Sequence, residues 1–334
     1  MADITRPFQN KLWYYDVPLG TAYGTCPTMA STPKPVSCEW RVARLSMGDK
    51  HAVNYSAQTP APITLWEQTD DFKFHLEYVP QCDDTLLTNV INRLSDGYYC
   101  DIRSFSFMLG VNTCHSRVTD QTWYEICGAK PDTIRLSSSI NNKWVVTIDF
   151  LVSSVLTNGD SGFITSAATE GDPGIADLLA AEPAALTGNY LGFNVAGRIS
   201  KGNPTDSFAY IVDNADILIN HNLCGNGFDH DSKTRQYAVA GRWEGSGSID
   251  LSLDSGGGVH WWQVMNKHSF TIYVGLGAIG CPEIVLPNCE WVTPEISIEV
   301  EDCQLMRSAA FNSRAGHCTD GNSLLTNICR SRVS

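Results

Sequence analysis

The sequence predicts a mainly β protein, a β-rich α+β fold of two duplicated β-sandwich or barrel domains, each with one flanking helix and a long extended loop arm. Three observations predict it. Apolar and polar residues alternate at period two along most of the chain, the mark of half-buried strands. Only two short stretches carry a helical stripe. One segment is also written twice, SFSFMLG at residues 104–110 and SFTIYVG at residues 269–275.

In the first copy, Phe72, Phe74, Leu76 and Tyr78 share one face opposite Lys73, His75 and Glu77. A helix follows: Asp83 or Asp84 caps it, Leu86, Leu87, Val90, Ile91 and Leu94 form its apolar stripe, and Gly97 stops it. Alternation resumes at Phe105, Phe107 and Leu109, then at Ile134, Leu136 and Ile140, and last from Trp144 through Val146, Ile148 and Phe150 to Val152. The second copy offers Ile217, Ile219 and Leu223, then Ile249, Leu251 and Leu253. Its helix is expected over residues 259–267, with Trp261, Trp262 and Met265. Strands at Phe270, Ile272 and Val274 and at Ile296, Ile298 and Val300, the latter facing Glu295, Glu299 and Glu301, complete it.

The common unit therefore reads strand, long gap, strand, helix and three strands. The expected division is a first domain at 1–155, a connector at 156–205, a second domain at 206–311 and a C-terminal extension at 312–334. The connector, rich in Gly, Ala, Ser, Thr and Asp with a short helix around 175–181, is long for a structureless loop, so it is expected to pack against a neighbour. Gaps at 46–62 and 224–240 occupy matching places in the two copies and read as arms that reach between subunits.

Composition narrows the function. The 334 residues are 43% hydrophobic and 10% aromatic, enough for two packed cores. A net charge of −13 argues against a protein that binds nucleic acid by neutralising phosphates, but does not exclude a wall past which nucleic acid slides. No stretch is apolar enough for a membrane span, and the N-terminus carries Asp3, Arg6 and Lys11 without an apolar run, so assembly in the cytoplasm is expected. Twelve cysteines include no C-x-x-C pair. Cys281 with Cys289 and Cys318 with Cys329 are candidate bridges; the alternative is that most are buried free thiols.

Candidate chemistry is thin. Gly159-Asp160-Ser161-Gly162 resembles a serine-protease fragment but reads as a solvated turn. His221, Cys224, Asp229, His230 and Asp231 cluster without the spacing of a zinc or EF-hand site. The carboxylate pairs Asp70/Asp71, Asp83/Asp84 and Glu301/Asp302 read as a strand start, a helix cap and a strand edge rather than a glycosidase pair. No catalytic, cofactor-binding or metal-binding residue is assigned, and no cofactor is expected.

The order of these segments resembles the two-domain major tail tube proteins of long-tailed, non-contractile viruses of bacteria and archaea. Gly20-Thr-Ala-Tyr-Gly-Thr25 is similar to a Tyr-Gly-Thr opening of that family. The run from Ser104 to Gly110, Tyr124-Glu-Ile-Cys-Gly128 and Asp132-Thr-Ile-Arg-Leu136 resembles its strand, Gly and strand sequence. In the second copy the resemblance passes through residues 215–223, 245–251 and 284–288. It implies a structural virion protein and no enzyme: trimers with pseudo-sixfold symmetry, rings stacked into a hollow tube that DNA traverses without specific binding, and arms touching the adjacent ring. It further implies the tape measure and tail terminator as partners and the virion tail as location. Two other readings stand beside it: a surface filament or adhesion subunit of tandem sandwiches, and a carbohydrate-binding or carbohydrate-active protein using Trp261 and Trp262 with Glu295 and Glu299.

Overall fold

The computed structural model describes residues 10–17, 22–28, 30–48, 51–56, 59–67, 71–91, 102–111, 122–139, 141–158, 160, 162–164, 181–192, 199–201, 212–223, 227–228, 234–241, 244–252, 270–276, 281, 283–292 and 306–314. The first half runs β1 (Lys11–Asp16), β2 (Lys34–Pro35), β3 (Trp40–Met47), β4 (His51–Ser56), β5 (Thr59–Glu67), β6 (Phe72–Tyr78), α1 (Thr85–Ile91), β7 (Phe105–Val111), β8 (Thr122–Ser139), β9 (Val145–Val152) and β10 (Ser154–Thr157). The second runs β11 (Ile199–Lys201), β12 (Val212–Asn220), β13 (Glu244–Ser252), β14 (Phe270–Gly275), β15 (Glu283–Trp291) and β16 (Met306–Arg314). The protein is mainly β, as its periodicity predicts.

Fourteen of these strands form one antiparallel sheet system; β4 and β5 pair separately. Hydrogen-bonded neighbours run β1-β7-β8-β9-β6-β3 in the first half and β11-β14-β15-β16-β13-β12 in the second. Taken in chain order, the strands pair in the same sequence in both halves. The halves join where β12 pairs with β8, Asn214 to Asn220 lying antiparallel to Ser139 to Thr133.

Strand β8 makes this possible because it is long and changes partners. Along one edge its first part pairs with β7 and its last part with β12; the other edge carries β10 and then β9. The change falls near Gly128, whose φ of 64° favours a residue without Cβ, and near Pro131, which has no N–H to donate. The chain thereby bends, so β7 faces β6 and β9 across a sandwich. Phe107 lies 4.9 Å from Phe74 and 5.1 Å from Phe150, ring centre to ring centre. Close, tilted ring packing of this kind adds to simple area burial.

The predicted faces are observed on β6 and β9: Phe74, Leu76, Tyr78, Val146, Ile148 and Val152 are fully buried. In α1, Asp84 is the cap, its Oδ1 accepting from the amides of Leu86 and Leu87 at 2.9 and 3.2 Å. Leu86, Leu87, Val90 and Ile91 are its buried stripe; Leu94 and Gly97 lie outside the described residues, as do the expected helices at 259–267 and around 175–181 and the strand around Ile298.

Several expectations are corrected. Among the described residues the halves share a core, because Ala215, Ile217, Ile249, Leu286 and Phe311 of the second half belong to the same buried cluster as Phe74 and Phe150. The first gap is not a loop: His51 to Glu67 close a β-hairpin, favoured by the β-branched and aromatic residues Val53, Ile63 and Trp66. The described part of the second gap folds back on its own chain. Lys130 Nζ donates to the Ala238 carbonyl at 3.0 Å, Ser153 Oγ to that of Arg235 at 2.6 Å, and buried Arg235 pairs with Asp71. The connector likewise packs against its own first half, since Lys11 pairs with Glu182, Asp83 accepts from the amides of Thr187 and Gly188, and Leu191 enters the core. A buried polar backbone needs such partners, and the first half supplies them.

Candidate functional site

Two places concentrate features that a plain sandwich does not need: the joint between β8 and β12 with its open counterpart, and a buried polar cluster on the outer side of β8.

At the joint, Ala215, Ile217 and Ile219 of β12 point into the core beside Ile134 and Leu136 of β8. On the other face Arg135 grips Asp216, with Nε 2.8 Å from Oδ1 and Nη2 on Oδ2. The pairing holds the guanidinium above its ordinary value. His221 closes the end of the joint; it is fully buried, donates from Nδ1 to the Pro131 carbonyl at 2.8 Å, and its amide donates to Asp132.

The same strand position in the first half is β3. Ladder registers fix the correspondence: Phe105 pairs with Ala129 and Phe270 with Cys289, while Pro131 pairs with Phe150 and Trp291 with Phe311. Phe150 then pairs with Phe74 and Phe311 with Gly247. Ala43, Leu45 and Met47 thus correspond to Ala215, Ile217 and Ile219, and Arg44 to Asp216. The outer edge of β12 is paired with β8, whereas β3 pairs only with β6 among the described strands. Ile219 is fully buried and Met47 is 58% exposed.

The face away from the core is polar. His75 Nδ1 sits 2.6 Å from Asp149, Thr133 donates to Asp149 at 2.8 Å, Asn214 donates to Asp250 at 2.8 Å, and Lys143 pairs with Glu39 at 2.5 Å. Lys143 lowers the Glu39 carboxyl below its ordinary range, chiefly through this hydrogen bond. Most charges here are met by an opposite neighbour, which leaves a hydrated surface with little net pull on an anion.

The second place brings together two segments separated by about a hundred residues. Gly24 and Gly128 both adopt positive φ, 85° and 64°, and a Cβ on Gly128 would lie 2.8 Å from Gly24 Cα. Tyr23 hydrogen-bonds the Leu151 carbonyl and Cys26 is bonded to Cys127. Glu125, two residues before Cys127 on the same face of β8, is fully buried. Its Oε2 accepts the Ile164 amide at 2.7 Å, while Oε1 has no hydrogen-bond partner among the described residues. Burial pushes its carboxyl up to about 7. Trp13, Tyr15, Met108, Trp123, Phe163 and Ile164 form the apolar shell around it. Oxygen and sulfur atoms of Cys26, Glu125 and Cys127 lie within 4.8 Å of one another.

The residues singled out in the sequence are not gathered into one site. Asp160 folds back on the amide and hydroxyl of Thr157, a turn, and Ser161 lies outside the described residues. His221 is structural, and Cys224, Asp229, His230 and Asp231 fall outside. Asp71 pairs with Arg235, Asp83 accepts from the amides of Thr187 and Gly188, and Asp84 caps α1, its buried carboxyl raised to about 6 by desolvation. Asp70, Glu295, Glu299, Glu301, Asp302, Trp261, Trp262, Cys318 and Cys329 fall outside. The Cys281–Cys289 bridge is corrected: Cys281 is bonded to Cys82, tying the second half to the loop before α1, and Cys289 is buried with its Sγ 3.1 Å from the Leu286 carbonyl. Glu125 was not anticipated; a carboxylate at a core position of an alternating strand is the signal that marks it. No protein-family model matches the chain, and no curated protein is similar to it in sequence.

Proposed function

We propose that this chain is a structural virion protein, a subunit of stacked rings that form the hollow tail tube of a long-tailed virus, through which DNA passes. The observation that carries this reading is the contrast between β12, seated on β8, and β3, its counterpart, which pairs only with β6 among the described strands. A joint that leads from one half to the next through unlike edges is heterologous, and repeating it produces a closed ring or a helix. The same joint made between chains brings a strand of another copy onto β3. By the ladder registers, Arg44 of β3 stands where Asp216 of β12 stands. Seating β3 on β8 of another copy would set Arg44 beside Arg135 and be repelled, so the joint between chains takes an edge with an acidic residue opposite Arg44.

Alternation of halves around a ring follows, with trimers giving pseudo-sixfold symmetry. The polar face, on which Arg135 is met by Asp216 and Lys143 by Glu39, then lines the channel as a hydrated surface with little hold on phosphates. Tape measure and tail terminator proteins are the further partners of such a tube.

The experiment is electron imaging of purified protein with a charge variant. Wild type is expected to form hollow filaments of regular ring spacing. Arg44→Glu should abolish them. Filaments from Arg44→Glu, or a wild type that stays monomeric at high concentration, would overturn the reading.

A further inference from the structure

We infer that Cys26, Cys127 and Glu125 form a binding site for a zinc-class divalent ion whenever the Cys26–Cys127 bond is open. The three residues offer two sulfur atoms and one carboxylate oxygen within 4.8 Å of one another. Thiolate and carboxylate together suit zinc, which takes three protein ligands and keeps a fourth position for solvent in open sites. Glu125 and Cys127 come from alternate positions of one rigid strand, and Cys26 is brought over them by the close seating of Gly24 on Gly128.

The independent observation is the state of Glu125. It is fully buried, and one carboxylate oxygen has no hydrogen-bond partner among the described residues. An apolar wall of Trp13, Tyr15, Trp123 and Phe163 offers it no cation. Burying an acid with an unused oxygen is costly unless something completes it. A bound cation would use that oxygen.

The second half makes the comparison for us. The register that aligns Ala129 with Cys289 places Val285 and Pro287 where Glu125 and Cys127 stand, so the fold itself requires neither ligand.

Chemically, the two thiols of the reduced chain release two protons to solvent as the ion binds. From the oxidised chain, a phosphine reductant first opens the bond: phosphorus gives up two electrons and takes the oxygen of a water molecule, and each sulfur takes a proton. Disulfide and metal complex use the same sulfur electrons, so the two states exclude one another.

The full-length chain, reduced with a phosphine, is titrated with cobalt(II) as an optical stand-in for zinc. One equivalent should produce a thiolate-to-metal charge-transfer band that zinc removes. Cys26→Ser should lose the band, and Glu125→Gln should weaken binding about tenfold or more. Cys82→Ser/Cys281→Ser should keep it. A band that persists undiminished in Cys26→Ser, or an affinity unchanged in Glu125→Gln, overturns the site. The wild type alone gives a second readout that no folding defect can blur. Zinc should slow reoxidation of Cys26 with Cys127, followed by peptide mapping, and equal rates with and without zinc overturn the inference.

Discussion

Strands β12 and β3 occupy the same place in the two halves and meet different fates. Both carry a small residue, a larger aliphatic and a third apolar residue toward the core, Ala215-Ile217-Ile219 in one and Ala43-Leu45-Met47 in the other. In β12 all three are buried, because β8 closes the edge. In β3 the burial fades along the strand until Met47 is 58% exposed. A strand edge with unpaired backbone groups and apolar side chains is a hazard that proteins normally blunt with charge, proline or cover. The proposed joint between copies would account for its survival at the position that is covered in the sister half.

The strongest way to break this comparison is to place one substitution at both positions. Ile219→Asp buries an uncompensated charge in the core and should cost roughly 4 kcal/mol or more in unfolding experiments. Met47→Asp should leave the thermal midpoint of the unassembled chain unchanged within a degree or two, since the side chain is on the surface there. It should nevertheless abolish filaments in electron images, because the charge would be buried on assembly. Normal filaments from Met47→Asp would mean that the β3 edge is not a joint.

The two halves are also tied covalently, and the tie tests whether they fold as one. Cys82–Cys281 spans a sequence separation of 199 residues and reaches from the loop before α1 to the turn before β15. Cys281→Ser should lower unfolding stability by ~2–4 kcal/mol under oxidising conditions and have no effect in excess reductant. A two-step unfolding curve in this variant, with a single step in the wild type, would show that the shared core alone does not couple the halves.

Much of this architecture was legible in the chain. Alternation at Phe72 to Tyr78 and Trp144 to Val152 named core faces correctly because period two leaves one way to bury those rings. Asp84 and the leucines after it marked α1 by the ordinary capping and stripe signals. The partner of each edge was not legible, since pairing of β12 with β8 depends on the bend at Gly128 and Pro131 rather than on any local pattern. The hairpin of β4 and β5 was hidden by the prolines and polar residues around it. Disulfide partners were hidden as well: Cys281 lies near Cys289 in sequence, yet the fold brings it to Cys82. Glu125 was visible as a charge on an alternating strand, but only the fold shows the wall of aromatics that encloses it.

Glu125 against its counterpart Val285 gives a smaller and sharper contrast. Its carboxyl is raised from 4.5 to about 7, chiefly by desolvation. The proton is therefore held more tightly in the folded chain. The resulting stability is fully present below about pH 4.5 and is lost as pH rises through about 7. Glu125→Gln keeps an oxygen for the Ile164 amide and cannot ionise. Compared with wild type in its oxidised, metal-free form, it should be more stable at pH 8 by roughly 3 kcal/mol, with the difference closing toward pH 4.5. Asp84, raised to about 6, titrates in both proteins and cancels in that difference. A difference that does not vary with pH would mean that Glu125 is already ionised and solvated in the fold.

The smallest expected effect concerns what holds the joint together. Arg135 and Asp216 make the most conspicuous contact between β8 and β12, yet both are partly exposed, 59% and 36% for their side chains. Ion pairs of that exposure are worth under about 1 kcal/mol. Arg135→Gln should therefore lower stability by ~0.5 kcal/mol, and a double-mutant cycle with Asp216→Asn should return a coupling of similar size, shrinking with added salt. The buried Ile217 and Ile219 and the backbone ladder carry the joint within the chain. On the proposed assembly the joint at β3 would rest on Leu45 and Met47, which are less deeply set, so a charge change at Arg44 is expected to matter more than one at Arg135. A coupling above about 2 kcal/mol for Arg135 with Asp216 would remove that distinction.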